Sequence, residues 1–216
     1  MCDKEINIKT IIIGDTYSGK TSILNRYINH YFNTSFMATI GVDYYKNELI
    51  KENTKYKFTI WDTSGQEKFN SIITSYYRDT GAVIFVFDLT NYNSFLNIKN
   101  WIAKVELFSN NKIMKILVGN KSDLADNRVD KNVITRFCKN NNIEYLETSA
   151  KNNINIDEIF LKLADNIKNN VDNVNYVNYL NENSGIKVLN TFSFNDTKKH
   201  SNELTNKRKN KCCIIM

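Results

Sequence analysis

Residues 14–21 read Gly14-Asp15-Thr16-Tyr17-Ser18-Gly19-Lys20-Thr21. They follow the apolar run Ile11-Ile12-Ile13 and open an amphipathic segment in which Ile23, Leu24, Tyr27, Ile28 and Tyr31 repeat at helical spacing. Two glycines flanking four residues, then Lys and Thr, at a strand-to-helix junction form a phosphate-binding loop pattern. The turn points backbone N–H groups inward around a phosphate, and the helix adds its positive N-terminal dipole. On this reading Asp15, Thr16, Tyr17, Ser18, Gly19, Lys20, Thr21 and Ser22 line a phosphate site. Lys20 supplies a cation, and the Thr21 hydroxyl is a ligand for Mg²⁺.

Moving outward from this loop, apolar runs alternate with helical patterns. Ile6 to Ile13 reads as the first strand, and 41–50 with 55–61 as an antiparallel pair. Ala82 to Phe87 is continuously apolar, as a strand buried on both faces must be, and Lys115 to Gly119 and Ile143 to Leu146 repeat the signal. Between them lie the helical sets Phe95, Ile98, Trp101, Ile102, Val105; Val133, Ile134, Phe137; and Ile156, Ile159, Phe160, Leu163, Ile167. This order predicts an α/β domain: a mostly parallel six-stranded sheet with one antiparallel pair and helices on both faces. The domain occupies 1–170, a flexible Asn-rich basic tail 171–211, and a modification motif 212–216.

Composition bounds the rest. The 216 residues are 42% hydrophobic and 24% charged, which fits one globular domain plus a tail. Four cysteines, scattered apart from one adjacent pair, argue against both a disulfide framework and a zinc site. No apolar run reaches membrane-spanning length, and Met1-Cys2-Asp3-Lys4 lacks a signal-peptide core and the glycine that myristoylation needs, so a cytosolic body is expected. Most of the formal +6 charge falls in 197–211, where six Lys/Arg face one acid. A nearly neutral body gives no reason to expect nucleic-acid binding, whereas a basic tail suits an anionic membrane surface. The absence of proline reads as coding bias.

Three further motifs fall at predicted strand ends, where open parallel sheets bind ligands. In Trp61-Asp62-Thr63-Ser64-Gly65-Gln66-Glu67, Asp62 can hold Mg²⁺ through water, the Gly65 N–H can reach a terminal phosphate, and Gln66 can orient an attacking water. In Asn120-Lys121-Ser122-Asp123 the carboxylate can accept both N1–H and the 2-amino group of guanine, a donor pair adenine lacks. In Thr148-Ser149-Ala150-Lys151 a backbone N–H can bind the guanine O6.

With these motifs the chain resembles the small GTPases of the Ras superfamily, and within them the Rab family, over roughly 6–170 plus the C-terminus. Ile40-Gly41-Val42-Asp43-Tyr44, Lys57-Phe58-Thr59-Ile60-Trp61, Lys68-Phe69-Asn70-Ser71-Ile72 and Tyr76-Tyr77-Arg78-Asp79 carry the Rab character. The resemblance implies that Phe32 stacks on guanine and that Thr39 joins Thr21 and Asp62 as a Mg²⁺ ligand when GTP is bound. It implies a monomeric switch, with effectors on the GTP state, an exchange factor, a GTPase-activating protein, an escort protein and a GDP-dissociation inhibitor as partners. Two departures stand out, Ser64 where family members usually carry Ala and Tyr17 where Gly or Asn is commoner.

The chain ends Lys211-Cys212-Cys213-Ile214-Ile215-Met216. Cys213 sits in a C-a-a-X box beside a second thiol, Cys212, and stable anchoring takes two signals. A terminal Met alone suggests farnesyl, whereas the resemblance implies double geranylgeranylation and residence on the cytoplasmic face of endomembranes, with an inhibitor-bound cytosolic pool. The expected activity is slow GTP hydrolysis with Gln66 and Lys20 as catalytic groups. The competing readings are a nucleotide-held binding protein with negligible hydrolysis and another prenylated branch of the superfamily. An Arf-like reading lacks its glycine, a Ran-like one leaves the terminal cysteines without a reason, and an ATPase reading conflicts with Asn120, Lys121 and Asp123.

Overall fold

A computed structural model describes residues 4–34, 39, 41–63, 76–108, 113–124, 128–171 and 186–190. The chain runs β1 (Lys4–Ile13), α1 (Lys20–Asn29), β2 (Val42–Lys51), β3 (Thr54–Thr63), β4 (Ala82–Asp88), α2 (Tyr92–Leu96), α3 (Ile98–Phe108), β5 (Met114–Asn120), α4 (Lys131–Asn141), β6 (Glu144–Glu147), α5 (Ile156–Val171) and β7 (Ile186–Asn190). The sheet order is β2-β3-β1-β4-β5-β6, parallel except for β2 against β3. This is the expected six-stranded path. Chain order reverses on either side of β1, so the loop leaving its C-terminal end opens into the crevice where such sheets take ligands.

The continuous burial of β4 has a direct cause. Ala82, Ile84 and Val86 join one core cluster with Ile23, Leu24 and Tyr27 of α1 and Ile159, Phe160, Leu163 and Ile167 of α5. Val83, Phe85 and Phe87 join the other, with Phe95 of α2, Trp101 and Val105 of α3, and Ile134 of α4. Alternate side chains from Ala82 to Phe87 thus feed opposite faces, each roofed by helices, and leave no place for a polar residue until Asp88 at the strand's end. Each such side chain contributes about 1.5–3 kcal/mol on leaving water. The hairpin joining β2 to β3 turns at Glu52 and Asn53, both with positive φ (45° and 62°), the primed-turn geometry that matches strand twist.

Two features differ from the sequence expectation. The helical set Phe95 to Val105 divides into α2 and α3, because Asn97 caps the first while its carbonyl accepts from Asn100 and Trp101 N–H to start the second. The sheet also gains β7, antiparallel to β1 with Ile186 opposite Ile8 and Asn190 opposite Lys4, inside the stretch expected to be a tail. Among the described residues no helix is long and apolar enough to cross a membrane.

Candidate nucleotide-binding site

The loop after β1 is shaped by two close approaches. A Cβ on Gly14 would lie 2.0 Å from the Val86 carbonyl oxygen, and one on Gly19 would lie 2.2 Å from Asn120 Nδ2, at a φ of +93°. Only glycine fits either place. Tyr17 holds a φ of 68° without being glycine, at a cost of about 1–2 kcal/mol, and its ring faces outward at 63% exposure. The Lys20 ammonium is buried and donates to the carbonyls of Gly14 (2.9 Å) and Asp15 (3.0 Å). Burial pulls its pKa down to about 8 against the opposing charges of Asp62 and Asp15. The Asp15 carboxylate accepts from Trp101 Nε1 (2.8 Å) and Asn97 Nδ2 (2.7 Å), so the break between α2 and α3 places a donor that fixes the loop. Thr16 and Ser22 are half-buried beside it, and Ser18 is buried with a hydroxyl that has no hydrogen-bond partner.

Three oxygens meet at the other side of the loop. Thr21 Oγ1 donates to Asp62 Oδ2 (2.5 Å), which leaves Thr39 as the donor in the 2.7 Å contact between the two threonine hydroxyls. Asp62 is fully buried, and its second oxygen, Oδ1, has no partner. Burial raises its pKa to about 6, although the Thr21 hydrogen bond and the Lys20 charge pull the other way. An orphaned carboxylate oxygen beside two hydroxyls is a hard, all-oxygen donor set that fits Mg²⁺. The described residues contain no cluster of three or more His, Cys, Asp or Glu that suggests another metal.

The two motifs expected to recognise the base converge through Asn120, which is 2% exposed. Its Nδ2 donates to Ser18 O (3.0 Å), and its Oδ1 accepts from Thr148 Oγ1 and Ala150 N (both 3.3 Å). Asp123 Oδ1 accepts from Ser149 Oγ (2.6 Å), and Lys151 approaches Asp123 at 4.0 Å. Lys121, at a φ of 66°, donates from Nζ to Asp88 Oδ2 (2.6 Å). Phe32 is half-buried and packs against the α1/α5 core cluster. Ser64, Gly65 and Gln66 lie outside the described residues, as do Cys212 and Cys213.

Sequence reading passed over two residues here. Asp88 closes β4 and anchors Lys121; an acid at the C-terminal end of a parallel strand is a usable signal. Arg26 had no signal at all. From the exposed side of α1 its guanidinium donates to Ala150 O (2.9 Å), Lys151 O (3.0 Å) and His30 O (3.0 Å), holding the 148–151 loop against the helix that starts at the phosphate loop. Nearby, Trp61 lies 4.8 Å, centroid to centroid, from both Tyr44 and Tyr76, joining β2 and β3 to the segment leading into β4.

A doubly roofed parallel sheet carrying a phosphate loop at its switch point, with an Asn-Lys-x-Asp turn bonded to that loop, defines a P-loop nucleotide-binding domain of the guanine class. Residues 9–169 match the Ras family. The chain is 43% identical to Ras-related protein Rab-1C of Dictyostelium discoideum over 74% of its length and 81% of that protein's. It is 41% identical to Ras-related protein Rab-10 of Diplobatis ommata over 76% and 82%. A third match, at 36%, to Ras-related protein RABE1e of Arabidopsis thaliana, covers 98% of this chain and 94% of the relative. The chain belongs to the Ras family and is a GTP-binding, GTP-hydrolysing small GTPase of the Rab type.

Proposed function

We propose that this GTPase is a membrane-anchored switch in vesicle trafficking, cycling between a GTP state that binds effectors and a GDP state that does not. The observation that carries the reading is the convergence at Thr21. That residue joins the phosphate loop, through Asp62, to the end of β3 and, through Thr39, to the segment before β2. Loss of the terminal phosphate then reaches both flanking segments at once. The Tyr44–Trp61–Tyr76 cluster ties β2 and the end of β3, which continue from those points, to the segment before β4, and Tyr44 is 46% exposed, which supports an effector face there.

Thr21, Thr39 and Asp62 would hold Mg²⁺, which when bound neutralises charge on the phosphate oxygens. The chain's own work is positioning. The backbone N–H groups from Asp15 to Ser22 cradle the phosphates, and Lys20 exchanges its carbonyl partners for phosphate oxygens, regaining full charge next to an anion. Gln66 orients the attacking water, and Gly65 N–H marks the terminal phosphate. Asp123 reads the two guanine donors, with Ser149 Oγ holding its carboxylate, and Ala150 N–H, here donating weakly to Asn120 Oδ1 (3.3 Å), turns to O6 when the base is bound. Asn120, Lys121 and Lys151 frame the base, and Phe32 stacks on it. No described arginine stands at the phosphate loop, so turnover is slow until an activating protein raises it by about 10³–10⁵. Paired lipids on Cys212 and Cys213, with basic residues aiding by about 1 kcal/mol each near an anionic leaflet, anchor the chain to endomembranes. Exchange factor, escort protein and GDP-dissociation inhibitor complete the cycle.

The test is GDP, GTP and ATP affinity for wild type and Asp123→Ala, with hydrolysis of bound GTP followed in the same samples. Tight, guanine-selective binding lost in the variant, with slow hydrolysis, is expected. Equal ATP and GTP binding overturns the guanine reading. Binding without hydrolysis, even with an activating protein, overturns the cycle in favour of a nucleotide-held binding protein, a reading that the strained Tyr17 backbone would then explain.

A further inference from the structure

β1 is longer than the strand beside it. Its pairing with β4 begins only at Thr10, opposite Ala82, whereas its pairing with β3 covers the strand from Lys4. The edge of Lys4–Ile8 on the β4 side would therefore present unpaired N–H and C=O groups, a template for strand addition. Ile186–Asn190 occupies it in antiparallel register. Ile186, opposite Ile8, is fully buried in the same core cluster as Ile6, Ile8, Leu163 and Ile167. Main-chain pairing supplies affinity and a buried side chain supplies register, the two elements of β-strand recognition.

We propose that Ile186–Asn190 is a docking strand, and that the Lys4–Ile8 edge is the site where the C-terminal segment of this same chain seats, setting the length of tether that follows. The direction matters. Because β7 runs against β1, its chain leaves the sheet beside Lys4, at the end away from the phosphate loop. Docking also shortens the tether. Residues 172–211 span at most roughly 140 Å at about 3.5 Å per residue, and 191–211 at most roughly 70 Å. Seating the strand halves the distance that the body can stand off from a membrane holding Cys212 and Cys213, relative to a chain in which substitution has displaced it. This consequence rests on the lipid-anchor reading, whereas the docking itself does not.

Amide hydrogen exchange on the full-length, unlipidated, GDP-loaded chain decides the docking. In Ile186→Asp the alternate amides of Lys4–Ile8 that face β7 exchange at least tenfold faster than in wild type, while those facing β3, and Ile11–Ile13, are unchanged. Lys187→Pro and Val188→Pro provide a second arm that introduces no buried charge. Successive N–H groups point to opposite edges, so one of the two removes a bond to β1 and must reproduce the effect. Unchanged exchange at Lys4–Ile8 in all three variants overturns the proposal. For the tether, lipidated chains carrying a donor fluorophore at Glu52→Cys in a Cys2→Ser background are placed on vesicles of neutral and anionic phospholipid with acceptor-labelled headgroups. Position 52 lies in the β2–β3 turn, at the Lys4 end of the sheet. Energy transfer is higher with the strand intact than in Ile186→Asp, and equal transfer overturns the tether consequence. Chains that never join the vesicles refute lipid anchoring and that consequence with it, and the exchange result still stands for docking.

Discussion

Replacing Arg26 tests whether the proposed base-recognition loop is held by α1. The guanidinium makes one part-buried bond, to Ala150 O, and two exposed ones, to Lys151 O and His30 O. A hydrogen bond from a charged group to a buried partner is worth about 1.5–3 kcal/mol, and exposed ones contribute a fraction of that. Arg26→Met therefore removes about 2 kcal/mol of support from the loop carrying Ser149, Ala150 and Lys151. At about 1.4 kcal/mol per decade this is roughly 30-fold in guanine-nucleotide affinity, appearing mainly as faster release. Arg26→Lys, whose ammonium cannot span three divergent carbonyls, keeps part of the effect, roughly tenfold faster than wild type. Stopped-flow release of fluorescent GDP, with and without EDTA, is the assay. The acceleration caused by EDTA is the same in wild type and variants, because Thr21, Thr39 and Asp62 lie outside this contact. Release within twofold of wild type in a folded Arg26→Met chain would refute the reasoning. So would an altered EDTA response, which would show that α1 as a whole had shifted.

Two further substitutions probe the phosphate end. Asp62 holds its proton up to a pKa of about 6 against an ordinary 3.8, so without metal and nucleotide the folded chain binds the proton more tightly than the unfolded one. The stability this confers is fully present below pH 3.8 and is lost as pH rises through about 6. Asp62→Asn consequently stabilises the nucleotide-free chain by roughly 1–3 kcal/mol at pH 7.5 and by less at pH 4.5, in urea denaturation with EDTA, while abolishing stabilisation by Mg²⁺ with GDP. A gain independent of pH would contradict this account. Tyr17→Gly relieves a left-handed backbone but adds chain entropy to the unfolded state, so its stability stays within about 1 kcal/mol of wild type. GDP release or GTP hydrolysis in that variant shifts severalfold, and unchanged rates would remove Tyr17 from the mechanism.

The parts of this structure legible in the sequence are those set by local pattern. The continuous apolar run at Ala82–Phe87 announced a strand roofed on both faces, and its alternate residues do enter two clusters. The phosphate loop was legible because a strand, two glycines and a helix fall within a dozen residues. What was not legible depends on distant partners. Ile186–Asn190 sits in Asn-rich surroundings, and its strand character comes from the free edge of Lys4–Ile8 nearly 180 positions earlier. Arg26 carries no sequence signal because its two acceptors in the distant loop are main-chain carbonyls 124 and 125 positions away, and any sequence supplies carbonyls. The break at Asn97 was hidden because apolar spacing runs straight through it, whereas the capping amides and the Asp15 contact decide where the helices divide.

The link between Gly19 and Asn120 shows why motifs a hundred residues apart can be read as one site. Gly19 sits at a φ of +93° with no room for a Cβ, because Asn120 Nδ2 would lie 2.2 Å from it. Asn120 must come that close to donate to Ser18 O while its Oδ1 collects Thr148 Oγ1 and Ala150 N. The glycine in the phosphate loop and the amide in the base motif are thus a single steric requirement expressed twice. A larger residue at 19 displaces the Asn120 side chain, and through it the Ala150 N–H that faces O6 in the proposed guanine pocket. On the proposed assignment of these residues, phosphate grip and base selectivity are mechanically coupled, and a change at either end is expected to register at the other.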